Sequence, residues 1–452
     1  MLRQSRISAS FAPDPLRKCR SQGRSRRDAG ANFALASSRE RANLAPMLTQ
    51  HLLDAAHSLA PEIISLRRAI HAEPELGLDC PMTMAKVREA LTDLPLEWKT
   101  GPSTSGAVAT LRGGKAGDGS RRVLLRGDMD ALPMEEKTDL DFASTIPGRM
   151  HACGHDTHTA MLAGAARLLS AQRDEIAGTV DFMFQPGEEG HHGARFMLDD
   201  GLIDPLPDAA FALHIMPNAK FGVFAGRAGP LMAAADQFTI TVTGKGGHAS
   251  MPHDCADPVP AAAAIVAAIQ AMVTRRFNAA SAVVVTVTQI HTGTAFNVIP
   301  DDAVLNGTIR TLSAEHRTKV HALIEQTAQD IARAYGVEAT CEIEHGFPVT
   351  ICDERAVALG EKVARGLGAN DSASDGGWRD LPAPIMGAED FSYVLEKVPG
   401  AMFFLGVAPE GENWSQCCAI HSPRMHVDEG ALPKGAAMLA GCALEFIDNG
   451  FA

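Results

Sequence analysis

Apolar positions along this chain switch between two periods. Beyond Leu48 they recur at helical spacing, with Ile63, Ile64, Leu66 and Ile70 on one face. His71-Ala72-Glu73-Pro74-Glu75-Leu76-Gly77 breaks that helix, and a second is predicted over 82–91. Residues 122–126 (RVLLR) read as a buried strand of the parallel-sheet kind, running into Gly127-Asp128-Met129-Asp130-Ala131-Leu132-Pro133. Helical spacing returns at Met161, Leu162, Ala165, Leu168 and Leu169. Two further strands are predicted over 179–184, ending in Gln185-Pro186-Gly187-Glu188-Glu189-Gly190, and over 209–213, delivering His214 at its end. Strands alternating with helices predict an α/β class with a mixed, largely parallel sheet.

The pattern changes near Ala235. The predicted order becomes strand (237–242), helix (258–273), strand (282–290), strand (303–312), helix (314–335), strand (338–344). That order is the ferredoxin-like split βαβ arrangement. Strand and helix patterns of the earlier type resume afterwards, over 355–367, 401–407 and 432–447, so the middle part reads as an insertion. The expected division is a leader (1–46), a first part of the main domain (47–234), an inserted α+β domain (235–344) and a second part (345–452). Within the insertion, Gly244-Lys245-Gly246-Gly247-His248-Ala249-Ser250 is a tight polar turn, weak as a signal alone. Phe296-Asn297-Val298-Ile299-Pro300 is another turn, and Arg310 sits in the strand after it. In the last part, residues 368–380 read as a Gly-, Asp- and Ser-rich loop.

Composition narrows the class. The 452 residues are 46 % hydrophobic and 21 % charged, enough for a large core in two or three domains. No apolar run reaches the ~18 residues that span a bilayer; the longest, around 261–269, ends at Gln270. The net charge of −13 disfavours nucleic acid as a partner. The nine cysteines form no regular framework, which suits a reducing cytoplasm. The leader is rich in Arg and Ser and poor in acids. It reads as a disordered tail before a start at Met47, with an organellar transit peptide as the alternative.

The chemistry concentrates in His151-Ala152-Cys153-Gly154-His155-Asp156-Thr157-His158, at a helix entrance. Thiolate, imidazole and carboxylate are the side chains that donate electron pairs to zinc-like cations. A polar helix cap with incidental histidines is the bland alternative. Asp128/Asp130, Cys153/His155, Glu188/Glu189 and His214 all fall at strand ends or the turns after them. In a parallel sheet those ends share one rim. With His421 they supply enough donors for two divalent ions, the machinery of acyl-bond hydrolysis. A thiol-dependent hydrolase using Cys153 with His155 is the chemical rival.

These motifs, with Gly387-Ala388-Glu389-Asp390-Phe391 and His421-Ser422-Pro423, resemble the M20 metallopeptidase clan from about Leu48 to Ile447. Within it the likeness is to hippurate hydrolases, N-acyl-amino-acid amidohydrolases and auxin-conjugate hydrolases. The resemblance implies two divalent metal ions, zinc or manganese first, with cobalt and nickel also fitting. Cys153 would bridge them, and His155, Glu189, His214 and His421 would complete the shells. Glu188 would be the general base and Asp130 would orient the site. His248 of the inserted lid would stabilise the oxyanion, from a partner subunit, and Asn297 and Arg310 would help hold the substrate. Asp128 stands where other branches carry a histidine ligand, so it is not counted. Gly187 stands where relatives often carry alanine. The implied protein is a homodimer, with a tetramer left open, acting on small N-acyl amino acids. No nucleic acid or membrane partner is implied. A dipeptidase or N-acyl-diaminopimelate deacetylase of the same fold is the close rival, and a non-catalytic binding protein the distant one.

Overall fold

The computed structural model describes residues 49–368, 377–409, 411 and 413–451. The leader and Met47 lie outside them. Helices α1 (Ala60–His71) and α2 (Pro81–Ala90) precede strands β1 (Glu97–Thr100), β2 (Ala107–Arg112) and β3 (Arg122–Asp128). Next come α3 (His155–Ala171), β4 (Thr179–Gln185), α4 (Gly193–Asp199), β5 (Ala209–Met216) and β6 (Phe224–Gly226). The middle part holds β7 (Ala234–Thr243), α5 (Pro258–Arg276), β8 (Val283–His291), β9 (Asp302–Thr311), α6 (Ala314–Ala334) and β10 (Glu338–His345). The chain ends with α7 (Glu354–Gly368), β11 (Trp378–Asp380), β12 (Gly400–Gly406) and α8 (Leu432–Asn449).

Eight of these strands form one sheet in the order β1-β2-β4-β3-β5-β12-β6-β11. Its centre, β4-β3-β5-β12, is parallel throughout. Those strands are buried along almost their whole length, which is why they read as continuous apolar runs. Antiparallel pairing appears at β1/β2, β2/β4 and β12/β6. Helices α3 and α8 pack together over β3 and β5. Gly435 allows that approach, since a Cβ there would sit 2.0 Å from the Met161 sulfur.

Two expectations need correction. Strand β5 does not end before His214. Its pairing with β12 continues to Met216 opposite Gly406, so His214 sits inside a strand. The 368–380 stretch is not all loop, because Trp378–Asp380 pairs in parallel with β6; residues 369–376 lie outside the described ones. Two helices are also longer than the apolar runs suggested. By length and composition, Pro258–Arg276 and Glu429–Asn449 could each cross a bilayer. The second is a buried core helix, and the first is only one-third buried.

The middle part has its own antiparallel sheet, β8-β9-β7-β10, covered by α5 and α6. The strand-helix-strand-strand-helix-strand order is the one expected. A separate apolar cluster, including Phe238, Ile240, Ile265, Leu305 and Ile324, fills it. Both connections to the larger sheet leave side by side, since Asp236 on β7 pairs with His345 on β10. Asp236 is pinned there by Arg317 (2.9 and 2.6 Å), His321 (2.8 Å) and the Gly346 N–H (3.0 Å).

Candidate metal centre

The rim of the parallel strands gathers the donors. Gly154 (φ +94°) turns the chain between Cys153 and His155, and a Cβ there would strike Ile215 at 2.6 Å. The turn puts thiol and imidazole into one space at the start of α3. The Asp130 carboxylate accepts the N–H groups of Glu188 (2.9 Å) and Glu189 (3.0 Å), fixing the loop after β4. The Asp130 carbonyl lies 2.7 Å from His155 Nδ1. A ring N–H donates there, which turns Nε2 toward the other donors, where a cation would take its lone pair. His214 repeats the arrangement, with Nδ1 2.6 Å from the Ile215 carbonyl. His421 approaches from a loop in the left-handed region (φ +64°), its N–H held by the Ala152 carbonyl at 2.6 Å. A non-glycine residue held there is strained, and such strain gathers at functional sites.

Several triplets of donors result, His155-Glu188-Glu189 and Asp128-His155-His158 among them, and two others share one atom. Cys153, His155 and His214 form one, and Cys153, Glu189 and His421 the other, with donor atoms within 4.8 Å of each other in each. Cys153 Sγ lies 3.4 Å from His214 Nε2, and Glu189 Oε1 lies 3.3 Å from His421 Nε2. His155 Nε2 and Glu189 Oε1 are buried without hydrogen-bond partners. Buried lone pairs left open this way are costly unless something occupies the space between them. A sulfur, three imidazoles and a carboxylate fit a pair of divalent cations.

Electrostatics point the same way. Burial pushes the Cys153 thiol up to about 12, against the pull of His155. Such a thiol is inert as a nucleophile, while a cation beside it would deprotonate it outright. Burial, then the charges of Glu389 and Glu189, holds the Glu188 carboxyl well above the usual carboxylate range. Its Oε2 lies 3.9 Å from His155 Nε2. Burial, with His158 close by, keeps His214 neutral.

The structure therefore brings together Asp130, Cys153, His155, Glu188, Glu189, His214 and His421. It does not bring His248, Asn297 or Arg310 to them. Among the described residues these three bond only within the smaller sheet's own part. His248 is held by Ser250, the Asn297 carbonyl by the Ala249 N–H, and Arg310 by the Ile309 carbonyl. His248 and Asn297 sit at one end of that sheet and Arg310 at the other, since Asp302 to Arg310 spans about 27 Å of strand.

Sequence reasoning missed what lies beneath the centre. Asp128 is fully engaged, Oδ1 by His158 Nδ1 (2.6 Å) and Oδ2 by Arg126 (2.5 Å). Arg126, 2 % exposed, also reaches Gln185 (2.8 Å), Glu389 (2.8 Å) and Asp390 (3.0 Å). His158 Nε2 accepts the Ile215 N–H at 2.8 Å, tying α3 to β5. The available signals were two arginines flanking an apolar core in residues 122–126, and a histidine one turn after His155.

The pattern that defines Peptidase family M20/M25/M40 matches residues 124–445. Thermostable carboxypeptidase 2 of Saccharolobus solfataricus is 39 % identical over 407 residues, covering 88 % of this chain and 99 % of that protein. N-acetyl-L-cysteine deacetylase of Bacillus subtilis is 35 % identical, covering 87 % of this chain and 90 % of its own. Among solved structures, the YXEP protein of Bacillus subtilis, a dinuclear metal-binding peptidase of the M20 family, superposes with a TM-score of 0.72. It is 32 % identical, and the match covers 87 % of this chain and 99 % of that one. With the family pattern spanning most of the chain and these relatives covered over nine-tenths or more of their own length, this chain belongs to the M20 family of enzymes that hydrolyse amide bonds.

Proposed function

We propose that the enzyme cleaves N-acyl amino acids to a carboxylic acid and a free amino acid, with Cys153, His155, Glu189, His214 and His421 holding two divalent ions. The observation that carries this reading is the pair of donor triplets sharing the Cys153 sulfur, with the Glu188 carboxyl beside them. Bound there, two ions would supply Lewis-acid activation of water and of the scissile carbonyl. Zinc or manganese fits the donors best, with cobalt and nickel next.

The chain's own groups do the rest. Glu188 takes the proton from the attacking water and hands it to the leaving nitrogen. Asp130 holds Glu188 and Glu189 by their N–H groups, so both carboxylates keep their aim. In the smaller domain, the Ser250 N–H approaches His248 Nδ1 at 3.2 Å. That makes Nδ1 the acceptor and leaves the ring proton of a neutral His248 on Nε2, ready to donate to an oxyanion. Arg310 suits the substrate carboxylate through its planar fork, with Asn297 helping to hold the amide.

His248 and Arg310 lie too far apart on one lid to serve one small substrate. Arg310, near the connections to the larger sheet, serves its own centre, and His248 and Asn297 reach the centre of a second copy. The pairing surface is the edge strand β8, with exposed Val284 and Ile290, and the outer face of α5, with exposed Val259. The working assembly is a homodimer, with a tetramer compatible. Light scattering at micromolar concentration should give at least twice the chain mass, and a clean monomer would remove the trans role of His248.

The eight described cysteines are all free, which suits a cytoplasmic enzyme. No nucleic-acid or membrane partner is proposed. A same-fold peptidase is the second reading, favoured by the carboxypeptidase name of one relative. Protein stripped by a chelator and reloaded with each metal in turn, then assayed on N-acetyl, N-benzoyl and indole-acetyl amino acids and on dipeptides, separates the two. Metal-restored turnover of the acyl series supports the proposal, and turnover of peptides alone overturns it.

A further inference from the structure

The pairing of β3 with β5 stops at Arg126 and Ala212, while β5 runs on beside β12 to Met216. Ile215 therefore lies where the ladder on one side of its strand has ended, yet it is fully buried. Buried main-chain groups need partners, and two imidazoles supply them. The Ile215 N–H donates to His158 Nε2 at 2.8 Å, and the Ile215 carbonyl accepts from His214 Nδ1 at 2.6 Å. Accepting at Nε2 puts the ring proton of His158 on Nδ1, which donates to Asp128 Oδ1 at 2.6 Å. The other oxygen of Asp128 is held by Arg126. The His158 and His214 rings lie 4.4 Å apart, centroid to centroid. Asp128, His155 and His158 also come within ligand reach of one another. Both nitrogens of His158 are spent on the bonds just described, so it has no lone pair to give a cation.

We propose that His158 is a positioning residue for His214 and thereby sets the affinity of one of the two ions. It anchors the Ile215 main chain to Asp128, and Ile215 in turn aims the His214 ring, whose Nε2 lies 3.4 Å from the Cys153 sulfur. The inference rests on the proposed ligand role of His214 and goes beyond it by separating the two ions. The His158 ring neighbours His155 and His214, and its bonds lead to Asp128 and Ile215, not to Glu189 or His421. A loosened His214 would cost one ion a donor and leave the set of Cys153, Glu189 and His421 intact. Partners that orient a ligand imidazole are worth about 10–100-fold in metal affinity.

The test compares wild type, His158→Asn and His158→Gln, each stripped by a chelator and dialysed against a series of free zinc concentrations. Emission spectrometry counts the bound zinc. Asparagine reaches only as far as Nδ1, so it can keep Asp128 and must drop the Ile215 N–H. Glutamine reaches as far as Nε2 and can keep it. Wild type should bind two zinc ions per chain. His158→Asn should need about 10–100-fold more free zinc for one of them, with the other unchanged. His158→Gln should recover most of that affinity. Turnover at limiting zinc should follow the weakened ion, and excess zinc should restore it. Should His158→Asn fail to fold, His158→Phe, which fills the ring's volume and accepts nothing from Ile215, gives the same comparison. Equal weakening of both ions, equal losses in both variants, or no loss at all would overturn the inference while leaving the ligand set standing. Wild-type protein that binds fewer than two ions would overturn the ligand assignment as well.

Discussion

Glu188→Gln should abolish turnover, lowering kcat by about 10²–10⁴-fold, while metal content and melting temperature stay near those of wild type. The variant keeps the shape of the side chain and removes only its capacity to take and return a proton. Glu188 is built for that exchange. Burial and the charges of Glu389 and Glu189 hold its carboxyl well above the usual range. Positive charge at the Cys153 donor sets would bring it back toward working pH. Its main-chain N–H, not its carboxylate, carries the bond to Asp130, so the loop keeps its place in the variant. Metal content by emission spectrometry and single-turnover rates check the result together. Wild-type kcat with full metal would show that another group moves the proton, and lost metal would show that Glu188 is a ligand rather than a base.

The donors could be read from the sequence because each sits in a dense local motif beside a strongly apolar strand. Cys153 and His155 fall within three residues, and Glu188 follows a strand that ends in the apolar run Phe182-Met183-Phe184. The short outer strands could not. Glu97–Thr100 is short and mostly exposed, so it carries no burial pattern, and Phe224–Gly226 and Trp378–Asp380 are only three residues each. His214 was found, but placed at a strand end, because where β5 stops depends on its partner β12, more than 180 residues away. The same limit hid the buried charges. Arg126, Gln185 and Glu389-Asp390 lie on separate segments, and nothing local says that a strand arginine will find its carboxylates across the fold. The separation of Arg310 from His248 was equally invisible. Both fall in the same predicted insertion, and only the register of β9 against its neighbours sends them to opposite ends.

Arg126→Met should be the most destabilising single change beneath the centre, costing about 3–5 kcal/mol, a large part of a typical 5–15 kcal/mol total. Methionine fits the volume of the arginine stem, so loss of packing is not the cause. The guanidinium is the common partner of three buried carboxylates, Asp128, Glu389 and Asp390, and one amide, Gln185. Removing it leaves like charges facing one another out of water. Burial already drives the Asp390 carboxyl up to about 7, even with Arg126 in contact. A carboxyl raised above its unfolded value of about 3.9 gives stability that is full below that value and is lost as pH rises through the folded one. Without Arg126 the opposing pull is gone and the Asp390 carboxyl rises further, so the deficit of the variant should grow as pH rises from about 7, where the wild-type carboxyl ionises, toward the higher value of the variant. Urea unfolding of both proteins across that range measures it. Adding Glu389→Gln and Asp390→Asn to Arg126→Met should restore part of the loss and flatten the pH dependence, because the uncompensated charges then disappear. A deficit that stays the same at every pH, and in the triple variant, would mean that Arg126 holds the core by its shape and not by its charge.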